Sequence, residues 1–292
     1  MIPVEKAIAN FTFELSRRNK AKCTIENYTG SILQMFRFAE ETRQEISEDR
    51  AKFLNLAVSW ITRLQWKFRK GDLAATTINL NIEAIRSYAS LVLGYNLTDR
   101  ELPRMKEPKK IVEPFLRDEV KRIFASETNK KHLLVLQCAY YAGLRLGDIR
   151  YLRIRNLLYD KGVIHVENGK GAKDRYTFFS DELQASMKIF TQGKNENDFV
   201  FSPAGSTGQY PERTIGKICE NACIRAEITG KHNIHRLRHS FATHLIQHNV
   251  NIKDIQTAMG HSSVKTTEKY IVIAASDISR NRNALAMDNK AS

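Results

Sequence analysis

Six prolines and four cysteines are spread thinly over 292 residues, and acidic side chains are outnumbered by basic ones, 32 to 46. No stretch approaches the ~20 consecutive apolar residues that a membrane-spanning helix needs. The first 18 residues carry neither an apolar h-region nor a small-residue cleavage site, so a soluble, cytoplasmic chain without a membrane partner is expected. The cysteines Cys23, Cys138, Cys219 and Cys223 are too scattered for a disulfide framework, and three of them lie in apolar helical patterns typical of buried thiols. Cys219 and Cys223 fall one helical turn apart, but no second ligand pair accompanies them, which favours packing over zinc. There is no internal repeat and no low-complexity tract. With 42% apolar residues a disordered chain is excluded, and the length allows about two domains, each with a core. The net charge of +14 and pI near 9.6 favour a polyanionic partner, nucleic acid before an anionic membrane surface.

Over 4–97 the apolar residues recur at helical spacing: Ile8, Phe11 and Leu15; Ile25, Tyr28, Ile32, Leu33 and Phe36; Leu54, Val58 and Ile61; Ile78, Ile82, Ile85, Tyr88 and Leu91. That pattern predicts about four helices, the last capped by Thr76 or Thr77. Two basic edges, Arg17, Arg18, Lys20 and Lys22 in one and Lys67, Arg69 and Lys70 in the other, suit contact with phosphates, although a charged helix rim also serves solubility alone. Residues 102–114 hold three prolines and several cations, Lys109 and Lys110 among them, and read as an extended linker able to touch phosphates. The expected domains are therefore 1–101 and 115–292.

In the second, 117–124 and 133–141 read as helices, and Gly143 breaks the latter just before Arg145. Two β-like runs, 162–167 and 176–179, flank NGKGAKDR, a turn carrying the cations Lys170, Lys173 and Arg175, so a hairpin is expected. Helical periodicity returns from 181, interrupted by a loop over 202–211. The fold class is thus mainly α, a helical bundle followed by a mostly helical domain with a small β-sheet.

Cleaving a phosphodiester requires neutralising charge on non-bridging oxygens, presenting a nucleophile and protonating the leaving oxygen. Arginine suits the first task because its planar fork binds two phosphate oxygens and stays charged. Two converging arginines can stand in for Mg²⁺. Arg145 has Asp148 three residues on, close enough to orient its guanidinium, although such a pair is also an ordinary ion pair. His235 and Arg238 share a helix face. His235 and His239 have the i, i+4 spacing of metal ligands, but no third ligand at fixed spacing accompanies them, so no metal or other cofactor is expected. Gly260 suits the end of a helix over 252–259, which places His261 in a tight turn before a helix bearing Tyr270. A phenol with a pKa near ~10 needs a base or nearby positive charge to become a nucleophile, and His235, Arg238 and His261 offer both. Lys170 and Lys173 are long enough to protonate a departing oxygen.

In order, GLRLGD, GKGAKDR, HRLRHSFATHL and MGHSSVKTTEKY resemble the tyrosine recombinase (phage integrase) family, whose pattern is Arg, Lys, His-x-x-Arg, His and a late Tyr. TIENYTGSILQMF and ATTINLNIEAIRSY are similar to that family's helical core-binding domain. The resemblance implies Tyr270 as the nucleophile that forms a 3′-phosphotyrosine, and Arg145 and Arg238 as phosphate ligands. It also implies His235 in proton transfer, His261 hydrogen-bonded to the phosphate, Lys170 rather than Lys173 as general acid, and Asp148 as a prop. Gly147 stands where many relatives have Ser, and Ile-Val-Ile follows Tyr270 where a Thr-His pair is common; neither removes a functional group. The implied assembly is a clamp on double-stranded DNA, a homotetramer exchanging the tail after Tyr270 between protomers. Lacking an added arm-binding module, the chain is most similar to Xer-type recombinases acting at a dif-like site, with a mobile-element integrase close behind. A type IB topoisomerase and a non-catalytic DNA-binding regulator are the remaining alternatives.

Overall fold

The computed structural model describes residues 3–107, 113–169 and 173–260, and it divides into two compact units, Met1–Lys110 and Ile111–Ser292. No helix among the described residues is long and apolar enough to cross a membrane.

The first unit is a bundle of α1 (Val4–Arg17), α2 (Lys22–Glu41), α3 (Arg50–Arg69) and α4 (Ala75–Tyr88), the last running into a π-helical turn, Ala89–Leu93. Each helix turns an apolar stripe inward; in α1 it is Ala7, Phe11 and Leu15, four residues apart. Tyr88 is the hub, with Phe11, Phe36 and Phe53 ring centroids 5.3, 5.6 and 5.6 Å away. A buried polar pair fixes α3 on α4, where Trp60 Nε1 donates to Asn81 Oδ1 at 3.1 Å. The start of α4 differs from expectation: Ala74 occupies the cap position without a side-chain bond, and both threonines lie inside the first turn. The segment expected to be a linker from 102 onward is partly core. Leu102 is 1% exposed, and Asn79 both accepts from the Met105 N–H at 2.8 Å and donates to the Met105 carbonyl at 3.0 Å. One apolar residue and one asparagine outweigh the prolines there, because an unpaired backbone amide costs more than extended chain gains.

The second unit comprises α5 (Arg117–Ala125), α6 (Lys130–Tyr141), α7 (Leu146–Tyr151), the strands β1 (Leu157–Leu158), β2 (Val163–Gly169) and β3 (Lys173–Phe178), then α8 (Asp181–Thr191), α9 (Glu212–Arg225), α10 (Ile234–Gln247) and α11 (Ile252–Met259). The strands form one antiparallel sheet in the order β1-β2-β3, Val166 opposite Arg175 and Ile164 opposite Thr177, with an irregularity between Val166 and Gly169. The predicted hairpin is present, and β1 extends it by a two-residue edge too short to show alternation. Cys138, Cys219 and Cys223 are fully buried and Cys23 is exposed.

α10 is the axis of this unit. Asn233 caps it by accepting from the Arg236 N–H at 2.9 Å. Ser240 accepts from the Phe115 N–H at 2.8 Å, and Arg236 lies over the Phe115 ring and donates to the Glu113 carbonyl at 2.9 Å. The chain that enters the unit thereby clamps the helix that carries His235 and Arg238.

Candidate active site

Three guanidiniums meet at the end of α11. Gly260 closes that helix in the left-handed region, φ 58°, as its place in the sequence predicts, and three successive carbonyls at this terminus point outward with the partial negative charge of a helix C-terminus. Arg175 Nε donates to Ala258 O at 3.0 Å, Arg145 Nη2 to Met259 O at 2.9 Å and to Gly260 O at 3.1 Å, and Arg238 Nη2 to Met259 O at 2.5 Å. Arg238, 4% exposed, also donates through Nη1 to Gly143 O. A buried guanidinium would cost several kcal/mol if left unpaired, and these carbonyls meet that cost while holding the forks in place.

Arg145 is delivered by the break after α6. Gly143 has φ 58°, and a Cβ there would stand 2.5 Å from the Phe241 ring, so both the backbone conformation and the approach of α10 require glycine. The chain then restarts as α7 with Arg145 at its cap position, and the Asp148 carboxylate accepts from the Arg145 N–H at 2.8 Å. The aspartate therefore fixes Arg145 through its main chain, whereas the sequence suggested an ion pair with its guanidinium. The same carboxylate oxygen takes Arg175 Nη2, and both side chains are buried.

Among the described site residues, Arg175 also differs from expectation. Read as a cation of the turn that would contact DNA, it is 8% exposed and committed to Asp148 and Ala258. On β3 the exposed Asp174, Tyr176 and Phe178 alternate with the buried Arg175 and Thr177. Thr177 donates to Ala142 O at 2.7 Å, pinning the inward face against the end of α6. The signal lay in the parity of Arg175 with Thr177 and Phe179, which starting the strand at 176 concealed.

His235 stands one turn before Arg238 on α10. Partial burial of its ring, followed by the charges of Arg238 and Arg145, lowers its pKa, and Asp148 opposes them. A histidine so placed is neutral near pH 7 and fit to accept a proton. Lys170, His261 and Tyr270, and the basic residues Lys109 and Lys110, lie outside the described residues; Lys173 begins β3. In the first unit Arg17, Arg18, Lys20 and Lys22 are exposed, Arg17 paired with Glu14 at 2.9 Å, and Lys70 rests 3.8 Å above the Trp66 ring, beside the partly exposed Lys67 and the exposed Arg69. Among the described residues no group of three or more His, Cys, Asp or Glu is placed to hold a metal ion.

Residues 114–276 match the model of the phage integrase family. The chain is 29% identical over 268 residues to the tyrosine recombinase XerA of Pyrococcus horikoshii, spanning 90% of this chain and 87% of that protein. It is 30% identical over 270 residues to a tyrosine recombinase of Thermosipho africanus, spanning 86% and 95%. Among solved structures, XerH site-specific recombinase bound to its difH substrate in a pre-cleavage complex superposes with a TM-score of 0.65 at 19% identity, covering 89% of this chain and 81% of that one.

Proposed function

Because this chain belongs to the phage integrase family and is a tyrosine recombinase of the Xer type, we propose that it breaks and rejoins duplex DNA through a 3′-phosphotyrosine at Tyr270, at a dif-like site. The observation that carries the reading is the convergence of Arg145 and Arg238 on one helix end, with His235 a turn away and the chain leading directly from Gly260 to His261 and Tyr270.

In this reading the scissile phosphate takes up the two guanidinium forks, which neutralise the charge that grows on its non-bridging oxygens. Their position costs little reorganisation, since backbone carbonyls already fix both forks. His235 accepts the proton of the Tyr270 hydroxyl, and the phenolic oxygen bonds to phosphorus as the 5′-oxygen departs. That oxygen takes a proton from Lys170, which follows β2 in the sequence. His261 hydrogen-bonds the phosphate. The energy of the broken linkage is conserved in the tyrosyl ester, and the 5′-hydroxyl of an exchanged strand reverses the step. Asp148 acts at one remove by holding Arg145.

The assembly that fits is a homotetramer on two duplexes, with the tail after Tyr270 exchanged between protomers, working in the cytoplasm on chromosomal DNA. The relatives named tyrosine recombinase XerA support the Xer-type reading, within which resolution of chromosome dimers is proposed ahead of integration of a mobile element. The +14 charge and the cations of the first unit supply sequence-independent affinity.

A nicked duplex bearing the site, incubated with the full chain in EDTA, should give a detergent-stable adduct on the 3′ side of the cut. Tyr270→Phe should give none. An adduct that persists in Tyr270→Phe overturns the nucleophile, and supercoil relaxation on any plasmid without synapsis of two sites would favour a topoisomerase. Mapping cleaved sites on genomic DNA separates a single chromosomal dif-like locus from the ends of a mobile element.

A further inference from the structure

We propose that Arg175 is a positioning residue for the cleavage site, a brace that joins the hairpin to Asp148 and to the last turn of α11, and that position 260 is glycine to let this brace pass. The inference rests on the reading of the site given above and adds a residue that acts through Asp148 and Ala258.

Three observations carry it. First, one guanidinium bridges three elements: it sits on β3, donates through Nη2 to the carboxylate that fixes the Arg145 main chain, and donates through Nε to Ala258 O in the turn before Gly260. Movement of the hairpin is thereby transmitted to both the Arg145 cap and the carbonyl row that holds Arg145 and Arg238. Second, the space is taken: a Cβ at Gly260 would lie 2.5 Å from Arg175 Cδ and 3.1 Å from its Nε, closer than a carbon approaches without displacement of the stem. Third, stability is a poor explanation for the pair. Arg175 and Asp148 are each more than nine-tenths buried, and Arg175 Nη1 is buried without a hydrogen-bond partner. Burying an incompletely satisfied ion pair returns little net stability, and apolar replacements of similar volume often serve as well. What the pair does supply is position, since a guanidinium held by two acceptors from different elements fixes their separation.

The test compares the wild type with Arg175→Lys, Gly260→Ala and the paired change Arg175→Met with Asp148→Asn, which keeps the stem and removes both buried charges together. Each full chain is assayed for thermal unfolding, for affinity and salt slope on the intact site, and for the single-turnover rate of adduct formation at saturating nicked duplex. The paired variant should unfold within a few degrees of the wild type and bind within about twofold, with an unchanged salt slope, yet cleave roughly 100-fold more slowly, the effect expected of a displacement of about 1 Å at the reacting groups. Gly260→Ala should show the same split, and Arg175→Lys, which retains the charge but not the fork, a smaller one. If the paired variant does not fold, Arg175→Lys decides on the same readouts. Cleavage at the wild-type rate by the folded variants overturns the proposal, as does a defect confined to weaker binding with a salt slope reduced by about one, which would make Arg175 a direct phosphate ligand. Absence of an adduct in the wild type instead removes the reading on which it rests.

Discussion

The two units handle positive charge in opposite ways. In the first, cations line the rim: Arg17, Arg18, Lys20 and Lys22 are exposed, and the interior is given to rings packed around Tyr88. In the second, Arg238 and Arg175 are withdrawn from water and fixed by carbonyls and a carboxylate. An exposed guanidinium costs nothing to keep and is easily screened, so it lends affinity without precision. A buried one is kept only where acceptors meet most of its fork, and those acceptors are what aim it. In the proposed function the contrast separates cations that would hold DNA from arginines that would bind or brace the site of cleavage.

The contrast is broken most severely at Arg238. Replacing it with alanine removes the proposed phosphate ligand, takes the Arg238 donor from Gly143 O and leaves Met259 O to Arg145 alone, so single-turnover cleavage should fall by roughly 10²–10³-fold while binding of the intact site changes far less. In the first unit the equivalent injury is to packing. Phe36→Ala beside Tyr88 should destabilise the bundle by about 3–5 kcal/mol, read as a lower denaturant midpoint. Removing Arg17 and Arg18 together should weaken all duplexes alike, with the salt slope falling by about one for each phosphate that is no longer neutralised; an unchanged slope would place DNA elsewhere.

Two histidines of α10 sharpen the comparison through pH. Both have depressed pKa values and hence bind fewer protons folded than unfolded. His244 is lowered to about 4 by burial first and the Arg117 charge second, and its ring nitrogen meets the Tyr140 hydroxyl at 2.9 Å. Between its ordinary value of 6.5 and about 4 the unfolded state takes up the extra proton, so this contribution to stability is complete above 6.5 and is lost as pH falls through that window. The melting temperature should decline over it, less steeply in His244→Gln. For His235 the same sign places the acid limb of the cleavage rate below the ordinary histidine value. Asp148→Asn removes the charge that raises the His235 pKa and should move that limb lower still, a modest displacement visible in a pH–rate profile.

Much of this organisation is legible in the amino-acid order alone. The spacing of Phe11, Ile32, Phe36, Ile78, Ile82 and Ile85 marks buried helix faces because α-helices of this size must hide one stripe, and all six are buried. Arg145 after a helix-breaking glycine, and His235 with Arg238 on one helix face, depend on local geometry alone and are readable for that reason. Arg175 is not, because its burial is decided by Asp148 and Ala258, residues 27 and 83 positions away, and a cation beside a glycine-rich turn is locally indistinguishable from a solvated one. Leu102 and Met105 escape notice on the same ground: the bonds that fasten the segment come from Asn79, 26 residues upstream of Met105. Sequence speaks to what a residue does within a turn or two of itself, and tertiary partners settle the rest.

The alternation along β3 has a consequence for how the hairpin can vary. Arg175 and Thr177 face inward because they are two apart, so inserting or deleting a single residue between the strand's inner positions would turn the arginine to solvent and seat Asp174 or Tyr176 against Asp148 and the end of α6. The pleat that carries Arg175 and Thr177 must therefore keep strict count.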